Sequence, residues 1–306
     1  MTTTTSCISS LGQRLLRCIL PALFPVVLGV GLVPLAVFSA DPAPPREAAA
    51  GSEALPDLSA RKKPPVIIIK IDDLRQIDGK VHGLWNKTLG YLKQRNVKCG
   101  VGVICQTLAE ATPEYAGWIK QKQASGDVEF WFHGWDHATY KKDEVPYNEF
   151  VGRTYEEQKK RFDDSQQLAQ EKLGFEFATF GPPGGGGKGL FDSATVQVMS
   201  DVSGMKVWLY PQPLDKQGQE LAAKGKVKIL DRVWAVNLES KVGNPDFKAF
   251  INGYAKNPDR EYFVLQGHPM SWGTAEKFAE FTKIIEFLIE QKAVFMTPSE
   301  YAATLK

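Results

Sequence analysis

The chain has 306 residues, 43% of them hydrophobic and 24% charged, which is ample for one large core and excludes a wholly disordered protein. Its formal net charge of +2 resides in Arg14 and Arg17, the only charged residues of the first forty, so residues 41–306 are formally neutral. A neutral body argues against a nucleic-acid partner, which needs a basic face, and suits an uncharged substrate such as a sugar.

Residues 1–40 read as an address. A Ser/Thr-rich start with two arginines leads into an apolar run over residues 18–38, then Ser39, Ala40 and the polar Asp41. This is the layout of a secretory signal peptide. The run is also long enough to span a bilayer, so an uncleaved N-terminal membrane anchor is the alternative. Pro21, Pro25 and Pro34 interrupt it and disfavour a stable spanning helix. Either way the body is expected to be exported. Residues 41–64, rich in Pro and Ala without apolar periodicity, read as a linker, leaving residues 65–306 as one domain.

That domain alternates strand and helix. Residues 65–71 (PVIIIKI) form a β-branched apolar run expected to be a strand buried on both faces. Val81, Leu84, Trp85, Leu89 and Leu92 recur at helical spacing over residues 80–95. A strand is expected at 97–105, and a helix at 113–124 with Thr112 as N-cap and Pro113 at its first position. A strand at 128–132 and a long helix at 154–173, stopped by Gly174, follow. Further strands are expected at 177–180, 206–209, 233–236, 262–266 and 294–296, and further helices at 190–200, 247–256, 275–291 and 298–305. Seven or eight βα units predict an α/β fold, a distorted parallel (β/α) barrel of seven or eight strands, with an open doubly wound sheet as the alternative. On the expected second strand Cys99 and Cys105 stand six residues apart, about 20 Å, so no internal disulfide is expected.

Active sites of parallel barrels form where strands end. Asp72 and Asp73 follow the first strand, His133 and His137 (HGWDH) the third, residues 181–187 (GPPGGGG) the fourth, and His268 (LQGHP) a late one. The fourth histidine, His82, lies on an amphipathic helix. The HxxxH spacing sets two imidazoles on one side of a turn, as a metal requires. The zinc-protease pattern HExxH fails, because Gly134 stands where the Glu should. Adjacent acids on a strand point in different directions, so one aspartate can ligate a metal while the other faces substrate. A phosphate loop, GxxxxGK[ST], also fails: Pro182 replaces the first Gly and Gly189 follows Lys188, which reads as a surface residue. The glycines instead allow backbone N–H groups to approach a ligand. Trp131, Trp135 and Trp272 could stack on sugar rings, although core packing is the simpler use of Trp131.

Together, IDD (71–73), EFWFHGWDH (129–137), FGPPGG (180–185) and LQGH (265–268) resemble, in order, the motifs of the polysaccharide deacetylase family, the NodB-homology domain of carbohydrate esterases. The resemblance implies Asp72 as general base, Asp73, His133 and His137 as ligands of a divalent metal, the Gly184 N–H near the oxyanion, and His268 as general acid. Zinc suits a His₂Asp set. The implied activity is metal-assisted removal of an acetyl group, N- or O-linked, from a carbohydrate. Two departures stand out. Gly181 occupies the place of the family's base-orienting arginine, with Arg75 as a distant candidate for the role. The acid that tunes the last histidine is also not evident among Asp215, Asp231 and Glu239. The alternatives are a non-catalytic carbohydrate-binding protein on the same scaffold and a metal hydrolase of a small cyclic amide.

Overall fold

The computed structural model describes residues 55–201 and 204–305. The expected signal peptide or anchor, and most of the expected linker, lie outside the described residues. No helix among the described residues is long and apolar enough to cross a membrane.

In chain order the elements are β1 (Val66–Leu74), α1 (Gly83–Gln94), β2 (Cys99–Val103), a 3-10 turn (Cys105–Leu108), α2 (Pro113–Ala124), β3 (Val128–Phe132), β4 (Tyr140–Lys142), β5 (Val145–Tyr147), α3 (Tyr155–Leu173), β6 (Thr179–Phe180), α4 (Ser193–Asp201) and β7 (Val207–Leu209). Then follow α5 (Lys216–Ala223), β8 (Lys228–Leu230), β9 (Glu239–Lys241), β10 (Asn244–Pro245), α6 (Phe247–Ala255), β11 (Tyr262–Gly267), a 3-10 turn (Pro269–Ser271), α7 (Ala275–Glu290), β12 (Val294–Phe295) and α8 (Pro298–Thr304). Helix ends obey local chemistry. Thr112, Thr154 and Thr297 cap α2, α3 and α8 through their hydroxyls, and Gly174 ends α3 in the left-handed region. His82 accepts the Leu84 N–H as the cap of α1, which accounts for the fourth histidine.

The main sheet is parallel, in the order β11-β1-β2-β3-β6-β7-β8, with β12 beside the start of β1. It is a distorted parallel barrel of seven strands whose seam, between β8 and β11, carries no strand pairing. Side chains lace the seam instead: Asp231 accepts from the Arg260 guanidinium at 2.5 Å and from the Tyr262 hydroxyl. Residue alternation along β1 sorts the core. Ile67, Ile69 and Ile71 pack outward in the layer that includes Trp85 and Leu89 of α1 and Ile284 and Ile285 of α7. Ile68 faces inward with Trp131, Val207, Leu209, Leu230 and Val264. The Trp131 indole fills the barrel because β2 reads CGVGV: a Cβ at Gly102 would lie 2.5 Å from its ring.

Two expectations are corrected. Residues 233–236 form a turn, not a strand; the strand of that unit is β8, whose three residues are too short to show periodicity. The second strand stops at Val103, so Cys105 lies in the 3-10 turn; both cysteines are free and buried. The β4–β5 hairpin and α5 had no distinct signal in the pattern.

Candidate metal and acid–base site

The site begins with a fault in β1. Pairing with β2 shifts register between Ile71 and Leu74, and Asp73 takes φ 73°, a left-handed conformation that a non-glycine residue adopts only under constraint. A regular strand would send adjacent side chains to opposite faces. The irregularity brings both to one place: His133 Nε2 lies 3.7 Å from Asp72 Oδ2 and 3.3 Å from Asp73 Oδ1. The expectation that the two acids diverge is thereby corrected.

The two histidines arrive on the loop after β3. His133 is 2% exposed, and its Nδ1–H donates to the Gly181 carbonyl at 2.8 Å, which fixes the tautomer and turns Nε2 toward Asp73. His137 has φ 55° and sets its Nε2 3.2 Å from Asp73 Oδ1. Glu149, buried and unmarked in the sequence, holds this loop. It accepts the backbone N–H groups of Trp135 at 2.7 Å and His137 at 2.8 Å, and pairs with Arg161 at 3.1 Å. Gly134 is required here, at φ 81°, because a Cβ would meet Glu149 Oε2 at 2.5 Å and Pro183 at 2.7 Å.

The ligand atoms of Asp73, His133 and His137 lie within 4.8 Å of one another, the one such group among the described residues. Asp73 Oδ1 is buried without a hydrogen-bond partner. With His133 Nδ1 already donating, the lone pair on its Nε2 faces the carboxylate lone pairs, so the arrangement calls for a cation between them. Two imidazoles and one carboxylate converging this way fit a divalent ion with open positions.

Asp72 lies inside the barrel, fully buried. The sequence places Lys70 two residues earlier on the same face, and its ammonium meets Asp72 Oδ2 at 2.5 Å. Gln266 Nε2 donates to the same oxygen at 2.5 Å. Burial opposes the charge, but Lys70, His133 and His268 outweigh it and keep the carboxyl low. At Gly181 a Cβ would lie 2.7 Å from Trp131 and 3.3 Å from the Lys70 Cε, so the space of the missing arginine is taken by Trp131 and Lys70. Arg75 is exposed and is corrected as a candidate for that role.

His268, at the end of β11, sets Nε2 3.9 Å from Asp72 Oδ2. Its Nδ1–H donates to Glu239 Oε2 at 2.7 Å. Glu239 also accepts the His268 backbone N–H at 2.9 Å and the Trp272 indole N–H at 2.6 Å. Burial lowers the imidazole pKa, yet the Glu239 bond and the Asp72 charge raise it above the usual 6.5. Of the three acids left unranked, Glu239 is therefore the partner of His268. Asp215 caps α5, and Asp231 bridges the seam.

Other sequence candidates divide between site and scaffold. Gly184 lines a cavity of about 280 Å³ with Lys70, Tyr210, Trp234, Gln266 and His268. The Gly185 and Gly187 N–H groups are taken by Asn148 Oδ1, both at 3.0 Å, so those two glycines serve the loop. Lys188 is exposed. Trp272 is fully buried and stacks on Phe281, and Trp135 packs against the core; Trp131 fills the barrel, as packing requires. Glu129, the acid preceding the first histidine, receives Thr179 and Ser299 and so ties β3 to β6 and α8.

Comparison with known proteins bears on the fold. Residues 59–207 match the family model described as polysaccharide deacetylase. Among curated proteins, none matches the chain. Solved structures share the fold at low identity. A family 4 acetyl xylan esterase from Clostridium thermocellum, in complex with a cobalt ion, is 15% identical over 77% of this chain and 89% of its own, with a TM-score of 0.50. The Puue allantoinase is 11% identical over 85% and 96%, with a TM-score of 0.53. A CE4 family pseudoenzyme from Bacillus anthracis is 12% identical over 78% and 66%, with a TM-score of 0.51.

Proposed function

We propose that this chain, which carries a domain of the polysaccharide deacetylase family, is a metal-dependent hydrolase that removes acetyl groups, N- or O-linked, from a carbohydrate. The observation that carries the reading is the convergence of a His₂Asp ligand set with a buried carboxylate and a histidine, Asp72 Oδ2 and His268 Nε2 standing 3.9 Å apart.

Asp73, His133 and His137 would hold the ion, with zinc favoured by the mixed nitrogen and oxygen donors. Such an ion supplies Lewis acidity, acidifying water and drawing charge from a carbonyl oxygen. Asp72, kept ionised by Lys70, accepts the proton of the attacking water on Oδ1, the oxygen left without a partner. His268, whose pKa the Glu239 bond and the Asp72 charge raise against burial, delivers a proton to the departing amine or alkoxide. Gly184 lines the cavity, and its N–H is the donor we assign to the developing oxyanion. Gly181 in place of an arginine favours a non-catalytic protein; the Lys70 ammonium on Asp72 supports the catalytic reading instead. The apolar segment at residues 18–38, after Arg14 and Arg17, supports export of the chain.

The small cavity favours one second reading, hydrolysis of a small cyclic amide. Acetate release from N-acetylated chito-oligosaccharides and O-acetylated xylan tests the proposal. Asp72→Asn should abolish release while sparing metal content. Release that survives the change would exclude Asp72 as the base, and no release from any acetylated glycan would favour the second reading.

A further inference from the structure

Arg232 follows β8 and is 4% exposed. It lines the cavity with Lys70, Trp234, Gln266 and His268. Its Nη1 donates to Gln266 Oε1, and its guanidinium lies 4.0 Å over the Trp234 ring. Nε and Nη2 have no hydrogen-bond partner, and no carboxylate within ion-pair distance is found for Arg232 among the described residues.

The other basic groups that line the cavity have carboxylate partners. Lys70 is paired with Asp72, and His268 with Glu239. Arg232 has no such partner: the Asp72 and Glu239 carboxylates act on it from a distance, but neither forms an ion pair with its guanidinium among the described residues. Burial pulls its pKa to about 10, so the charge persists at neutral pH. A buried guanidinium with unmet donors is costly, and in a native fold it calls for a reason. The two unmet nitrogens supply one. Nε–H and Nη2–H form the side edge of the guanidinium, two parallel donors at the spacing of carboxylate oxygens. Neutral hydroxyls could satisfy those donors singly but would leave the charge. Trp234 beside it is 54% exposed, an aromatic face open to a sugar ring.

We propose that Arg232 binds a carboxylate of the substrate, and that the glycan unit seated in this cavity is a hexuronic acid. The inference rests on the cavity's being the substrate site, and it narrows the substrate from any acetylated carbohydrate to an anionic one.

Calorimetric titration tests it without requiring turnover. The probes are an unacetylated hexuronic acid trimer and its methyl ester, the same molecule without the charge. The free acid should bind the wild-type protein at least tenfold more tightly than the ester. Arg232→Met should remove that difference, and Arg232→Lys should keep only part of it, because an ammonium keeps the charge without the fork. Equal binding of acid and ester, or no binding of either, would overturn the proposal, as would a gap that persists in Arg232→Met. Should Arg232→Met not fold, the wild-type comparison and Arg232→Lys decide. Acetate release plays no part in this experiment, so a chain inactive as a deacetylase can still pass or fail it.

Discussion

Lys70 and Asp72 sit two residues apart on β1, point into the same barrel interior, and meet at 2.5 Å with both side chains buried. A lone ammonium or carboxylate there would be costly; the pair makes both tolerable, and it gives the base a fixed orientation. In the proposed mechanism the pair takes the place of an arginine that Gly181 cannot supply.

Replacing Lys70 with Met should therefore act on the base. Asp72 would stay buried without its ammonium, and burial would then favour its neutral form. Acetate release should fall by about 10²-fold or more, on the scale of a lost general base. Metal content should be unchanged, since Lys70 touches no proposed ligand. Release within a few-fold of wild type would show that Asp72 does not depend on Lys70.

Glu239→Gln should move the alkaline limb of the rate–pH profile. In the wild type the His268 pKa lies above 6.5, so the proton needed by the leaving group is present below that raised value and lost as pH rises through it. Without the carboxylate, burial dominates and the pKa falls. The limb should shift to lower pH. A profile measured on kcat that keeps its alkaline limb would contradict the pairing.

Gly134→Ala should damage the metal site without touching a ligand. The new Cβ would meet Glu149 and Pro183, at a φ that L residues rarely adopt. Glu149 would release the Trp135 and His137 N–H groups, and the loop would no longer aim its imidazoles. Metal affinity should fall about 10- to 100-fold, read by competition with a chromophoric chelator.

Gly181→Ala should lower thermal stability. The Cβ meets the rigid Trp131 ring at 2.7 Å in a barrel with no room to yield. A loss of about 1–3 kcal/mol is expected from overpacking, measured by denaturant unfolding. An unchanged midpoint would mean that Trp131 moves freely.

The barrel and the three proposed ligands were readable because long periodic segments and strand-end positions carry strong signals. Helices α2 and α7 and strands β3 and β11 follow from spacing and caps. What escaped was short or relational. β8 has three residues, and α5 eight. Glu149 and Arg232 look like ordinary surface charges, because only tertiary packing buries them. Glu239 could not be ranked against Asp215 and Asp231, since its partner lies 29 residues away. Lys70 was readable in principle. A charge inside an apolar strand needs a partner, and period two places Asp72 on its face.

The central claim is that Asp73, His133 and His137 bind one divalent ion. Elemental analysis of purified protein, wild type beside His133→Ala, tests it most directly. About one ion per chain in the wild type, lost in the variant, is the predicted result. A full complement in His133→Ala, or none in wild-type protein purified without chelator and supplied with zinc, would contradict it.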